Sequence, residues 1–123
     1  MHSDISARSR ALKRESQQLL GLGDHLNALR KISKAIAMAT KEPIDFQIGL
    51  LNLRAEALIK HAKLNLALVD AKAMITLDPS SDAGYLRAGQ ILRLLQRADD
   101  AAGNYRLGLE RAADKTRLWP VSS

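Results

Sequence analysis

The chain has 123 residues, a formal net charge of +6 and no cysteine. That length can bury one modest core. The missing thiols exclude disulfides, thiolate catalysis and cysteine-based metal sites. The positive charge favours acidic partners, which leaves an acidic peptide, nucleic acid and charge for solubility all open.

Although 46% of the residues are apolar, the aromatics are only Phe46, Tyr85, Tyr105 and Trp119. Ala and Leu supply most of the rest, a mixture that suits close-packed helices better than sheets. No apolar run approaches the ~18 residues that a membrane span needs. The N-terminus, with Asp4 and repeated arginines, lacks the apolar stretch of a secretory signal. The absence of cysteine points to an intracellular setting.

Helical periodicity predicts six segments. Ser3 and Asp4 cap a first helix through Leu20, ended by Gly21-Leu22-Gly23, which fits a helix stop. Asp24 caps a second, running to about Thr40. Pro43 then breaks the chain, and Asp45 caps a third through about Lys60. A fourth spans Leu64 to Leu77 and stops at Asp78-Pro79. Ser81 or Asp82 opens a fifth through Leu95, and Arg97 to about Asp114 forms the sixth. Connections this short force neighbouring helices to lie antiparallel.

The helix pairs superimpose on a 34-residue register. Taking Pro79 as position 32 sets a second repeat at 48–81 and a third at 82–115. A first repeat occupies 9–42, a loop 43–47 follows it, and a short tail covers 116–123. Positions 4, 8, 11, 20, 24 and 27 then read Leu12, Ser16, Leu19, Ala28, Ile32 and Ala35 in the first repeat. They read Leu51, Ala55, Leu58, Ala67, Ala71 and Met74 in the second, and Tyr85, Gly89, Leu92, Ala101, Tyr105 and Gly108 in the third. Small residues at 8 and 20 let the two helices of a hairpin approach, position 27 does so against the next hairpin, and bulky ones fill the surrounding holes.

This pattern resembles the tetratricopeptide repeat over nearly the whole chain. The resemblance implies an all-α domain of three antiparallel helical hairpins stacked as a right-handed superhelix with a concave groove. The stretches Leu50-Leu51-Asn52-Leu53-Arg54-Ala55-Glu56-Ala57, Asp70-Ala71-Lys72-Ala73-Met74-Ile75 and Gly84-Tyr85-Leu86-Arg87-Ala88-Gly89-Gln90-Ile91-Leu92 also resemble the N-terminal repeats of fungal F-box proteins with leucine-rich repeats. Those proteins are substrate receptors of a cullin-based ubiquitin ligase at the DNA replication machinery. The resemblance therefore implies a nuclear recognition arm with replisome components as partners. This chain shows neither an F-box nor leucine-rich repeats.

In such a fold, positions 2, 5, 6, 9, 12 and 13 of each first helix face the groove. They are Arg10, Lys13, Arg14, Gln17, Leu20 and Gly21, then Gly49, Asn52, Leu53, Glu56, Ile59 and Lys60, then Ala83, Leu86, Arg87, Gln90, Arg93 and Leu94. Six cations against one acid, interleaved with leucines, suit an acidic peptide with apolar anchors. Arginines can grip carboxylates through two parallel hydrogen bonds. The repeats that clamp the acidic C-terminus of heat-shock chaperones use a set of which Lys13 and Arg87 remain here. Gln17 is a near match, but Leu53 and Ala83 replace an asparagine and a lysine, so chaperone-tail binding is not expected.

His2, His25 and His61 lack metal-ligand spacing and read as surface histidines. Asp99-Asp100 opens a helix, where negative charge meets the positive end of its dipole. No catalytic triad, phosphate loop or dinucleotide fingerprint is present, so neither enzymatic activity nor a cofactor is expected. Nucleic acid is the rival partner, disfavoured because no aromatic is predicted to face the groove. A generic scaffolding or co-chaperone-like adaptor in the cytosol is the alternative role. The chain is expected to be a fragment with an uncapped last hairpin. Leu118 and Trp119 folding back, a symmetry mate in a homodimer, or a downstream segment would cover it.

Overall fold

The computed structural model describes residues 2–118, with side chains from 4 to 115, and all regular structure among them is helical. The helices are α1 (His2–Gly21), α2 (His25–Met38), α3 (Ile44–Lys60), α4 (Leu64–Leu77), α5 (Ala83–Leu94) and α6 (Ala98–Leu118). Each packs on the next in sequence, and α3 also touches α1 and α5. Three hairpins therefore stack side by side, with α1, α3 and α5 on one side and α2, α4 and α6 on the other.

A side-chain cap fixes the start of α2. The Asp24 carboxylate accepts from the Asn27 backbone N–H at 3.2 Å and from its side-chain amide at 2.8 Å. Those two bonds hold its pKa below the ordinary carboxylate value. Ser81 rather than Asp82 serves α5, its Oγ accepting from the Ala83 N–H at 3.2 Å. Ser3 and Asp4 lie inside α1, which begins at His2. Asp45 lies within the first turn of α3, behind Pro43 as the capping residue. Most of the expected loop 43–47 is thus helix, and α3 overhangs the repeat register at its start. The sixth helix also runs past Asp114, to Leu118. The proposed fold-back of Leu118 and Trp119 lies outside the described side chains.

The turn inside each hairpin is the same device used three times. Gly23, Ala62 and Gln96 have φ of 81°, 60° and 62°, and all occupy position 15 of their repeats. The following N–H reaches back to a carbonyl five residues earlier: Asp24 to Leu19 at 2.9 Å, Lys63 to Leu58 at 2.8 Å, Arg97 to Leu92 at 2.9 Å. This left-handed cap satisfies carbonyls that the helix end would leave open. Glycine adopts it without strain, whereas alanine and glutamine do not.

Small residues at the crossings are buried as their spacing requires. Ser16, Ala28, Ala55 and Ala67 are fully excluded from solvent, and Ala101 nearly so. Ser16 can sit there because its hydroxyl donates to the Leu12 carbonyl at 2.7 Å. A Cβ on Gly89 would lie 2.8 Å from the Tyr105 ring. One on Gly108 would lie 2.9 Å from Leu86, so this position makes room within its own hairpin and not only against a following one. Among the glycines, the tightest approach between hairpins falls at Gly84, where a Cβ would meet Ile75 Cγ1 at 2.6 Å, its backbone N at 2.9 Å and the Ala71 carbonyl at 3.1 Å.

The largest buried cluster joins the second and third hairpins through Ala55, Leu58, Ala67, Leu68, Ala71, Ala88, Ile91, Leu92 and Ala101. Leu29, from α2, packs against both this cluster and the one around Leu20, Ala28, Ile32 and Ala57. One apolar layer thus runs through the stack. Burying a side chain such as Ile32 contributes about 1.5–3 kcal/mol.

Two substitutions test these points by urea denaturation. Gly84→Ala should destabilise by about 1–3 kcal/mol, because backbone atoms rather than a flexible tip must move. Ala62→Gly should stabilise by about 0.5–1 kcal/mol, relieving the left-handed strain against the added entropy of glycine.

Candidate peptide-binding site

The face formed by α1, α3 and α5 carries two neighbouring clefts. One, of about 310 Å³, is lined by Gln17, Leu20 and Gly21 of α1 and Leu53, Glu56 and Lys60 of α3. The other, of about 320 Å³, is lined by Asn52 of α3 and Ala83, Leu86, Arg87 and Gln90 of α5. Six of the expected polar contacts are gathered in this way, Gln17, Glu56 and Lys60 in the first cleft and Asn52, Arg87 and Gln90 in the second. Arg14 and Arg93 are exposed outside both clefts.

Arg87 is the best-organised cation of the face. Its Nε donates to Asn52 Oδ1 at 2.7 Å and its Nη1 to Gln90 Oε1 at 2.8 Å. Guanidinium has five N–H donors, so three remain after these bonds. Both partners are neutral amides, and Arg87 forms no ion pair among the described residues. Its orientation is set while its charge stays uncompensated. Lys60 differs: Glu56, one helical turn away, approaches it at 3.7 Å.

The other end of the face is built differently. Arg10 lies 4.3 Å from the centroid of the Phe46 ring and Lys13 lies 5.3 Å from it. No aromatic was expected to face the groove, yet Phe46, in the first turn of α3, lies beneath Arg10 and Lys13. Phe46 offers little to a nucleic-acid base, since Arg10 and Lys13 already occupy the ring that a base would need. Arg10 is further held by Glu42 Oε1 at 3.4 Å and Ser6 Oγ at 3.3 Å. Glu42 is buried and also accepts from Ser6 Oγ at 2.7 Å. Arg10 thus ties the α2–α3 loop to α1, a structural task that its spacing did not disclose. Lys13 reaches across Gly49, its Nζ 3.2 Å from where a Cβ would stand.

One arrangement escaped the sequence reading. Arg54 Nε and Nη2 donate to Asp70 Oδ2 and Oδ1 at 2.9 and 2.8 Å, and its Nη1 donates to Ser33 Oγ at 3.3 Å. The Asp70 side chain is only 3% exposed. Arg54 and Asp70 occupy positions 7 and 23 of their repeat. The same positions of the first repeat hold Glu15 and Lys31, paired at 3.4 Å with the charges exchanged. A search for opposite charges sixteen residues apart would have found both pairs. The third repeat has Ala88 and Asn104 there instead.

His25 opens α2 and His61 caps α3, while the side chain of His2 lies outside those described. Among the described residues no cluster of His, Asp and Glu could hold a metal ion, and no helix is long and apolar enough to cross a membrane. Asp99 and Asp100 lie in the first turn of α6, with Asp100 paired to Arg97 at 2.8 Å.

Three stacked hairpins with small residues at each crossing define the tetratricopeptide-repeat fold, and the chain has that fold. It superimposes on the second repeat domain of Spaghetti (RPAP3) bound to the HSP90 peptide SRMEEVD with a TM-score of 0.74, at 20% identity, over 88% of this chain and 94% of that one. The Sgt2 repeat domain from Aspergillus fumigatus gives a TM-score of 0.74 at 23% identity over 85% of this chain and 66% of that one. In sequence, the chain is similar to the F-box/TPR repeat protein pof3 of Schizosaccharomyces pombe, 34% identical over 112 residues. It is also similar to Protein DIA2 of Eremothecium gossypii, 44% identical over 72 residues. These matches cover 91% and 58% of this chain but only 19% and 10% of the two relatives. The resemblance to fungal F-box proteins with such repeats is thus found again in whole-chain comparison. No family model matches the chain.

Arg54→Ala would strand the buried Asp70 carboxylate and should cost about 3 kcal/mol in urea denaturation. Replacing Arg54 and Asp70 together by leucine should cost much less, since no buried charge is left without a partner. Equal losses for the two variants would mean that packing, not charge, holds this site.

Proposed function

We propose that this chain is a protein-interaction module, not an enzyme, in which repeats 9–42, 48–81 and 82–115 act as one domain. Its concave face binds an acidic, partly apolar segment of a partner. The observation that carries this reading is Arg87, whose guanidinium is oriented by Asn52 and Gln90 and keeps its charge for a ligand. A carboxylate meeting three free donors on a rigid fork gains strong hydrogen bonds with little further ordering. Leu86 and Leu94, 37% and 43% exposed, offer apolar contact on the same helix. Lys13, Arg14 and Arg93 add charge elsewhere on the face, and Gln17 and Lys60 extend the surface to the first cleft.

The finer reading rests on the resemblance to F-box proteins: a substrate-recognition or tethering arm of a cullin-based ubiquitin-ligase receptor, working in the nucleus at replication forks. Similarity to pof3 along 91% of the chain supports it. A cytosolic co-chaperone-like role is the second reading, since solved neighbours hold a chaperone peptide. Leu53 and Ala83 stand where that clamp would place an asparagine and a lysine, which speaks against it.

The test is affinity capture from nuclear extract, comparing the native chain with a Lys13→Glu/Arg87→Glu variant of unchanged circular dichroism. Replication-fork proteins retained by the native chain alone are the expected result. Equal recovery by both would remove the groove assignment, and recovery of chaperones would favour the second reading. Once a ligand is in hand, Asn52→Leu should weaken it about fivefold without altering charge, the value of one supporting hydrogen bond near 1 kcal/mol.

A further inference from the structure

The convex side of the stack carries a cleft that the groove reading does not use. It lies between α2 and α4, measures about 300 Å³, and is lined by Ser33, Arg54, Leu58, Leu66, Val69 and Asp70. Because α2 and α4 are both second helices of their hairpins, they run in the same direction, with α3 between them as the floor.

The apolar surface here has no internal partner. Leu66 is 57% exposed and Val69 61%, three residues apart and so on one face of α4. Leu26, 60% exposed, heads the α2 stripe that continues through Arg30, Ser33 and Ala37 at helical spacing. The floor between these rims is rigid, because Arg54 is spent on Asp70 and Ser33.

Charge selects the occupant. Arg30 and Lys34 flank Ser33 on α2, and Lys72 stands one turn beyond Val69 on α4. All three are exposed, and none forms an ion pair among the described residues. The acid within the cleft, Asp70, is already neutralised by Arg54. Asp24, at the start of α2, is occupied in capping Asn27. An apolar ridge between basic rims is complementary to an apolar ridge between acidic ones. Nucleic acid would use the cations and leave the leucines and valine without a role, as no aromatic lines the cleft.

We propose that this convex cleft docks an amphipathic helix of a partner protein whose apolar ridge is flanked by Asp and Glu. The helix lies between α2 and α4, its ridge against Leu66, Val69 and Leu58 and its acids facing Arg30, Lys34 and Lys72. The site is separate from the concave groove, so one module can hold two segments at once.

The test uses a designed helical peptide with a leucine stripe at i, i+3/i+4, i+7 spacing and glutamates elsewhere, titrated into the isotope-labelled chain and followed by amide NMR. Saturable shifts centred on Ser33, Leu66 and Val69 are expected. Leu66→Ala and Val69→Ala should each weaken binding on the order of tenfold, and Arg87→Glu should leave it unchanged. A peptide with lysine in place of glutamate should not bind. Shifts centred on Asn52 and Arg87, equal binding of the lysine peptide, or no saturation by about 1 mM would each overturn the proposal. Stronger binding of an oligothymidylate at the same amides would overturn it in favour of nucleic acid. The Arg87→Glu control separates failure here from failure of the groove reading.

Discussion

Everything in this structure depends on how closely two helical backbones can approach. Where Ser16 meets α2, Ala55 meets Ala67 and Gly89 meets the Tyr105 ring, a larger side chain would force the helices apart. Interaxial distance follows from the residues at the contact. Once the hairpins close to that distance, the stacking distance is set in turn at Gly84, which admits Ile75 and the Ala71 carbonyl. Both faces inherit their shape from these contacts. The concave clefts and the convex one are the spaces left between helices whose spacing was settled by small residues elsewhere.

Charge is used in two opposite ways on that frame. Arg54 and Asp70 neutralise each other in a buried, two-point pair, and Arg10 is drawn onto Glu42. A buried carboxylate without such a partner would be strongly destabilising, so these cations belong to the fold. Arg87 is held just as firmly, but by amide oxygens that leave its charge intact. The difference between a structural and a functional arginine here is the identity of the partner, not the degree of order.

Much of the architecture was legible in the chain. Gly21-Leu22-Gly23, Pro43 and Asp78-Pro79 marked boundaries because glycine and proline restrict backbone geometry locally. The alignment of Ala28 with Ala67 and Ala101 revealed the repeat because stacked identical units need small residues at identical places. Ala62 and Gln96 gave no such signal. They adopt the left-handed turn because the hairpin demands it, and neither residue type prefers that conformation. The start of α3 was legible to within a turn, but the placement of Phe46 under Arg10 and Lys13 was not, because it depends on how α1 packs against α3.

By itself the sequence determined the number of helices, their pairing and the residues that share each face. These follow from local periodicity and from a repeat length that fixes register. Only the tertiary structure decided which charged residues are spent and which are spare. Arg10, Arg54 and Arg87 look alike in the chain. Each has a partner 16 to 35 residues away, where spacing along one helix has no authority and packing between helices chooses the neighbour.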